Sequence, residues 1–144
     1  MILCVCLDDN NGMTFNHRRQ SQDRVQRERL LNMAVGHTLA MSPYTYKLYQ
    51  LQLPVGVKLI VDEDFWSKAP EDAYCVVEAT GALQHVDVID KIIVYRWNRV
   101  YPADVHFDIK LHNNADWQLC RTTIFPGSSH PEMVEEIWTR CKAY

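Results

Sequence analysis

No run of apolar residues in this 144-residue chain approaches membrane-spanning length, which takes about 20 consecutive apolar residues in a helix. Basic charge is equally scarce: 15 Lys and Arg stand against 18 Asp and Glu, a formal net charge of −3. Dedicated nucleic-acid binders gain affinity when a basic surface displaces counterions from the phosphates, so that class is not favoured, although a small local phosphate site is still allowed. The cysteines lack pairing. Cys4, Cys6, Cys75, Cys120 and Cys141 form an odd set without Cys-x-x-Cys spacing, which reads as free thiols in a reducing compartment. Met1 to Leu7 is too short for a signal-peptide core and lacks a basic start, so the expected location is cytoplasmic. The chain contains no Gly-x-x-x-x-Gly-Lys loop, no Gly-x-Ser-x-Gly elbow, no His-Glu-x-x-His pair and no His-x-His-x-Asp-His cluster. Motif-borne phosphate loops and metal sites therefore find no support, and none of the residues is assigned to a metal.

What is present reads as one α/β domain spanning residues 1–144, with 47% hydrophobic content and no repeat or linker. Residues 2–8 form a continuous apolar run, as expected of a strand buried on both faces. Asn10-Asn11-Gly12 signals a turn. Ser21 is the expected N-cap of a helix to about Ala34, with Asp23 in its first turn. Thr38 to Met41 is a short strand, and Ser42-Pro43 opens a helix through Leu51. Residues 57–61, 73–77 and 91–97 are further strands, residues 62–72 a loop, and residues 82–87 a short helix. Residues 116–124 alternate with period two, and Pro126 to Ser129 is a turn; residues 132–141 fit helix or strand by pattern alone. The sum is a mixed, mostly parallel sheet with flanking helices and a C-terminal antiparallel hairpin.

Two segments concentrate polar chemistry. The junction from Tyr74 through Gly81 into residues 82–87 is a strand–turn–helix unit, which brings backbone N–H groups and a helix start to a ligand phosphate. Glu78, an acid at the end of a buried strand, needs a partner or a task there, and Arg96 and Arg18 are its candidate partners. The second segment is Asn16-His17-Arg18-Arg19-Gln20-Ser21-Gln22-Asp23-Arg24, whose fork-shaped donors beside a helix start suit a phosphate or carboxylate. Asp23 would act as a general acid if a cleft desolvated it, while the plain alternative is a helix acid without chemistry.

In the order of these runs the chain resembles dihydrofolate reductase. Leu3 to Leu7 with Asn11-Gly12-Met13 resembles the first strand and active-site loop, and Phe15-Asn16 falls where that family has Trp-Asn. Thr38 to Tyr46 resembles its Met-Gly-Arg-x-Thr-Trp segment, and Leu53 to Val61 its Leu-Pro-Gly-Arg strand. Lys91 to Tyr95 with Asp104 to Phe107 matches its late strand and Asp-x-x-Phe-Pro segment. Asp116-Trp117 matches the opening of its terminal hairpin, which favours the strand reading of 132–141. The resemblance implies NADPH-dependent reduction of a pterin-like substrate. Asp23 would supply the proton, Thr45 and Glu78-Ala79-Thr80-Gly81 would contact cofactor, and Phe15 would close over the ring. Tyr95 stands where a threonine supports the acid.

The departures from the pattern are specific. The family's diglycine falls within Glu78 to Gly81, its cofactor-gripping cation on Pro43 or Tyr44, and its substrate-clamping arginine on Val57; the 62–72 loop replaces an adenosine-binding unit. NADPH is therefore expected to bind more weakly than about 100 μM. Three functions stay open: a divergent reductase-like protein binding a pterin- or nucleotide-like small molecule, a phosphate- or RNA-end-acting nuclease or nucleotide hydrolase using His17, Arg18, Arg19 and Asp23, and a non-catalytic binding domain.

Overall fold

The computed structural model describes residues 1–141. In chain order the strands are Ile2–Leu7 (β1), Gly12–Phe15 (β2), Arg18–Arg19 (β3), Thr38–Met41 (β4), Lys58–Val61 (β5), Tyr74–Val76 (β6), Lys91–Arg96 (β7), Val105–His106 (β8), Trp117–Phe125 (β9) and Met133–Arg140 (β10). The helices are Arg24–Ala34 (α1), Pro43–Tyr49 (α2) and Phe65–Lys68 (α3), with 3₁₀ turns at Gln50–Gln52 and Ala82–Val88.

The apolar run of β1 supplies both faces of a sheet. Leu3, Val5 and Leu7 enter one core and Cys4 the other, and β7 repeats the division with Ile92 and Val94 against Ile93 and Tyr95, as period-two side chains must. Such strands belong at the centre. The main sheet has the order β5-β4-β6-β1-β7-β10-β9; β1 runs parallel to β6 and β7, and β4 parallel to β5 and β6. The β9–β10 hairpin joins the sheet antiparallel, β10 pairing with β7, so the 132–141 segment forms the strand Met133–Arg140 rather than a helix. α1 and α2 cover the Cys4 face with Leu30, Leu31, Ala34 and Tyr49. α3 and the 82–88 turn cover the other face with Phe65 and Ala82.

Several local expectations are corrected. Ser21 is not the N-cap: Asp23 is, at φ −150° and ψ 125°, accepting from the N–H groups of Val25 and Gln26. Asp caps as well as Ser does, and the Ser21 hydroxyl is engaged elsewhere, 3.0 Å from His130 Nε2. The 62–72 loop contains α3, the 82–87 helix is 3₁₀, and α2 stops at Tyr49 before a separate 3₁₀ turn. β9 does not alternate in burial; as an edge strand it is buried only at Trp117 and Phe125. A second sheet of order β3-β2-β8 packs beside the first. Its β2–β3 turn pairs Phe15 with Arg18 around Asn16 (φ 51°) and His17 (φ 62°), the two positive values of a type I′ hairpin.

Candidate functional site: a cleft at the carboxyl ends of the parallel strands

β1, β4 and β6 end side by side, where ligands bind in open α/β sheets. The deep part of this cleft is walled by Cys6, Arg19, Gln26, Tyr49, Glu78 and Tyr95 and holds about 30 Å³ of free space, enough for one or two waters. The outer part is larger, about 320 Å³, and is walled by Tyr44, Glu63, Phe65, Trp66, Ala79 and His85. Trp66 and His85 stack at 4.3 Å between centroids and 8° between planes. Val76, Val77 and Glu78 wall both parts.

Glu78 stands at that division, and its partner is Arg19, not Arg18 or Arg96. Arg19 Nε and Nη2 donate to its two carboxylate oxygens at 2.8 and 2.9 Å, and the Thr45 hydroxyl donates to Oε1 at 2.9 Å. The Arg19 guanidinium also lies 4.4 Å above the Tyr44 ring centre. Its bonds to Glu78 hold the guanidinium even more firmly protonated than usual. A bidentate, stacked pair of this kind is the strong form of the ion pair, and it walls the deep cleft together with Tyr95.

The helix start after β6 is also occupied. Gly81 at φ 105° turns the chain into the 3₁₀ segment, a conformation that glycine adopts without strain. The N–H groups of Gly81 and Leu83 both donate to Asp108 Oδ2 at 3.1 Å. A carboxylate of the chain itself thus sits where an external phosphate would bind.

Asp23 is 1% exposed and lies outside the residues that wall the deep cleft. Its Oδ1 accepts from Val25, Gln26 and Ser128 N–H groups, and its Oδ2 from Ser129 N–H at 2.8 Å, with His130 Nδ1 at 3.0 Å. Burial opposes ionisation, but the His130 bond and these N–H donors outweigh it and hold the carboxyl well below the usual carboxylate range. Near neutral pH it has no proton to give. The polar side chain that α1 sends into the deep cleft is Gln26, 3% exposed and 3.4 Å from the Tyr49 hydroxyl; nothing in its sequence context marks it.

The other candidates divide. Phe15, Asn16, Arg18 and Arg19 wall an open groove of about 480 Å³ with Gln20, Tyr101 and Pro102. His17 lies exposed at the hairpin turn, outside that wall. Arg18 is exposed whereas Arg19 turns inward to Glu78. Tyr95 is fully buried, and burial pushes its phenol far above the ordinary range, so it stays neutral. Ala79 and Thr80 are exposed on the rim. Burial likewise raises the cleft thiol Cys6, and raises Cys75 to about 11, so neither is a thiolate nucleophile. No group of three or more His, Cys, Asp or Glu is placed to hold a metal ion among the described residues, and no helix among them is long and apolar enough to cross a membrane.

A mostly parallel sheet covered on both faces, ending in an antiparallel hairpin and bearing its cleft at the strand ends, defines a dihydrofolate-reductase-like fold. Among solved structures the chain is similar to dihydrofolate reductase from Enterococcus faecalis, complexed with NADP(H) and RAB-propyl, with TM-score 0.68 over 98% of this chain and 96% of that one. Identity is 10%, so the likeness is one of fold. No protein-family model and no curated protein matches the chain. The site differs from one suited to the dinucleotide named with that solved structure. The outer wall contains Glu63 and Glu78 but no lysine or arginine, and Asp108 holds the helix start.

Proposed function

We propose that the chain is a small-molecule-binding domain that takes an uncharged or cationic planar ring, pterin- or nucleobase-like, in the outer cleft, without NADPH and without hydride transfer. The observation that carries this reading is the chemistry of the 320 Å³ wall, which joins Tyr44, Phe65, Trp66 and His85 to two carboxylates. Trp66 stacks on His85 and Phe65, so the wall is an aromatic cluster on which a further planar ring can pack, each good aromatic contact contributing about 0.5–1.5 kcal/mol beyond its buried area. Of the two carboxylates, Glu63 is the one free to repel a pyrophosphate and accept ring N–H donors, because both Glu78 oxygens are taken by Arg19 and Thr45. The deep cleft, with room for water only, argues against a ring seated at Tyr95.

Thermal melts of the whole chain with a neutral pterin, adenine and NADPH test the reading. A ring at 100 times its Kd adds about 2.7 kcal/mol, which raises Tm by roughly 8 °C for a domain of this size. Trp66→Ala should weaken that ring about tenfold. Stabilisation by NADPH alone, or by no ring at millimolar concentration, would overturn the proposal. The anion-acting alternative has less support, because Arg19 is already engaged by Glu78.

A further inference from the structure

Three residues from distant parts of the chain meet behind the deep cleft. Ser21 Oγ lies 3.0 Å from His130 Nε2, and His130 Nδ1 lies 3.0 Å from Asp23 Oδ2. Because the Asp23 carboxylate only accepts, Nδ1 carries the ring proton, and Nε2 is left to accept from a hydroxyl. The imidazole is 4% exposed and stacked on Trp97 at 4.9 Å, so its orientation is set on both nitrogens and on one face. Ser21 is partly exposed and forms part of the deep cleft wall.

The capping role of Asp23 does not account for this arrangement. Its bonds to Val25 and Gln26 cap α1, and those to Ser128 and Ser129 dock the 126–130 turn. Neither task requires an imidazole or a serine on the far side of it. Gly127 lets the turn approach so closely, since a Cβ there would stand 2.9 Å from Asp23 Cγ and 3.0 Å from the His130 carbonyl oxygen. The order hydroxyl, imidazole, buried carboxylate, each on the right nitrogen, is the geometry of a serine nucleophile with its base and orienting acid.

We propose that Ser21, His130 and Asp23 form a nucleophilic relay that hydrolyses esters with short acyl groups. Ser21 Oγ attacks the ester carbonyl carbon while its proton passes to His130 Nε2. The tetrahedral adduct collapses by breaking the bond to the alcohol oxygen, which leaves with that proton. Water then attacks the acyl-serine, gives a proton to Nε2, and releases the carboxylic acid as Ser21 recovers the proton. Asp23 stays ionised throughout and stabilises the imidazolium. The Tyr101 hydroxyl lies 3.2 Å from the same Nε2, so it shares that acceptor with Ser21 until the proton transfer makes Nε2 a donor. The roughly 30 Å³ beside Ser21 has room for the hydrolytic water only, so a short acyl group enters from the partly exposed side of Ser21.

The test uses the full chain, p-nitrophenyl acetate as substrate, and a small fluorophosphonate located by peptide mass spectrometry. The wild type should carry the adduct on Ser21. Ser21→Ala should lose the adduct and at least about 100-fold of the hydrolysis while keeping a two-state thermal transition. Asp23→Asn, which still caps α1, should lower kcat with little change in KM. A folded wild type without adduct on Ser21, or a Ser21→Ala protein that hydrolyses the ester as fast as wild type, would overturn the relay. Ring binding in the outer cleft is read separately by thermal melts, so either idea can fail without the other.

Discussion

Asp23→Ala is the perturbation with the largest consequence for the fold. The substitution removes a cap, about 1 kcal/mol in typical helices, and strands the N–H groups of Ser128 and Ser129 and the His130 ring. Each buried donor left without its acceptor costs about 1–3 kcal/mol. These terms are not additive, because one relaxation of the 126–130 turn relieves several together. The expected loss is about 3–5 kcal/mol, comparable to breaking a buried pair and large against the roughly 5–15 kcal/mol of a whole domain. Urea denaturation followed by tryptophan fluorescence reads it as a midpoint lower by about 2 M for an m-value near 2 kcal/mol/M. Acid supplies the second signature. Because the folded carboxyl is held below its unfolded value, its contribution is full above the unfolded pKa near 3.9 and fades as pH falls through that value toward the folded one. Wild type and Asp23→Asn should therefore converge in stability as the pH drops from about 5 to 2. A loss under about 1 kcal/mol for the alanine variant, or a stability gap that widens in acid, would refute this account of Asp23.

Gly127→Ala should cost about 1–3 kcal/mol by overpacking against Asp23, measured in the same urea series; a neutral result would mean the turn approaches less closely than described. Glu78→Gln should cost about 1–3 kcal/mol through the unpaired Arg19. It should also confer a phosphate-dependent rise in Tm that wild type lacks, because the guanidinium is released to an external anion. Equal phosphate responses in the two proteins would show that Arg19 is not the locked cation.

The parts of the fold readable in the sequence are those set by local pattern. The unbroken apolar runs of β1 and β7 could only be central strands, and Asp116-Trp117 placed the terminal hairpin. The β2–β3 hairpin escaped notice because His17 takes a positive φ usually given to glycine. The cap was misplaced by two residues because Ser21 and Asp23 are equally good caps, and what separates them is a histidine 109 residues from Ser21. Long-range pairing hid the site in the same way. The partner of Arg19 lies 59 residues away and that of the Gly81 turn 27 residues away, so the Arg19 segment and the Gly81 turn both read as open anion sites when each was already filled. Gln26 was invisible as a cleft residue because nothing in the α1 pattern distinguishes an inward glutamine from a surface one.

The measurement that bears most directly on the central claim is calorimetric titration of the purified chain with NADPH and, separately, with a neutral pterin and adenine. With Glu63 in the outer wall, no lysine or arginine lining it, and Asp108 on the helix start, NADPH should bind more weakly than about 100 μM, roughly −5.5 kcal/mol, while one of the rings binds more tightly and loses affinity in Trp66→Ala. Micromolar NADPH binding that is untouched by Trp66→Ala would contradict the account.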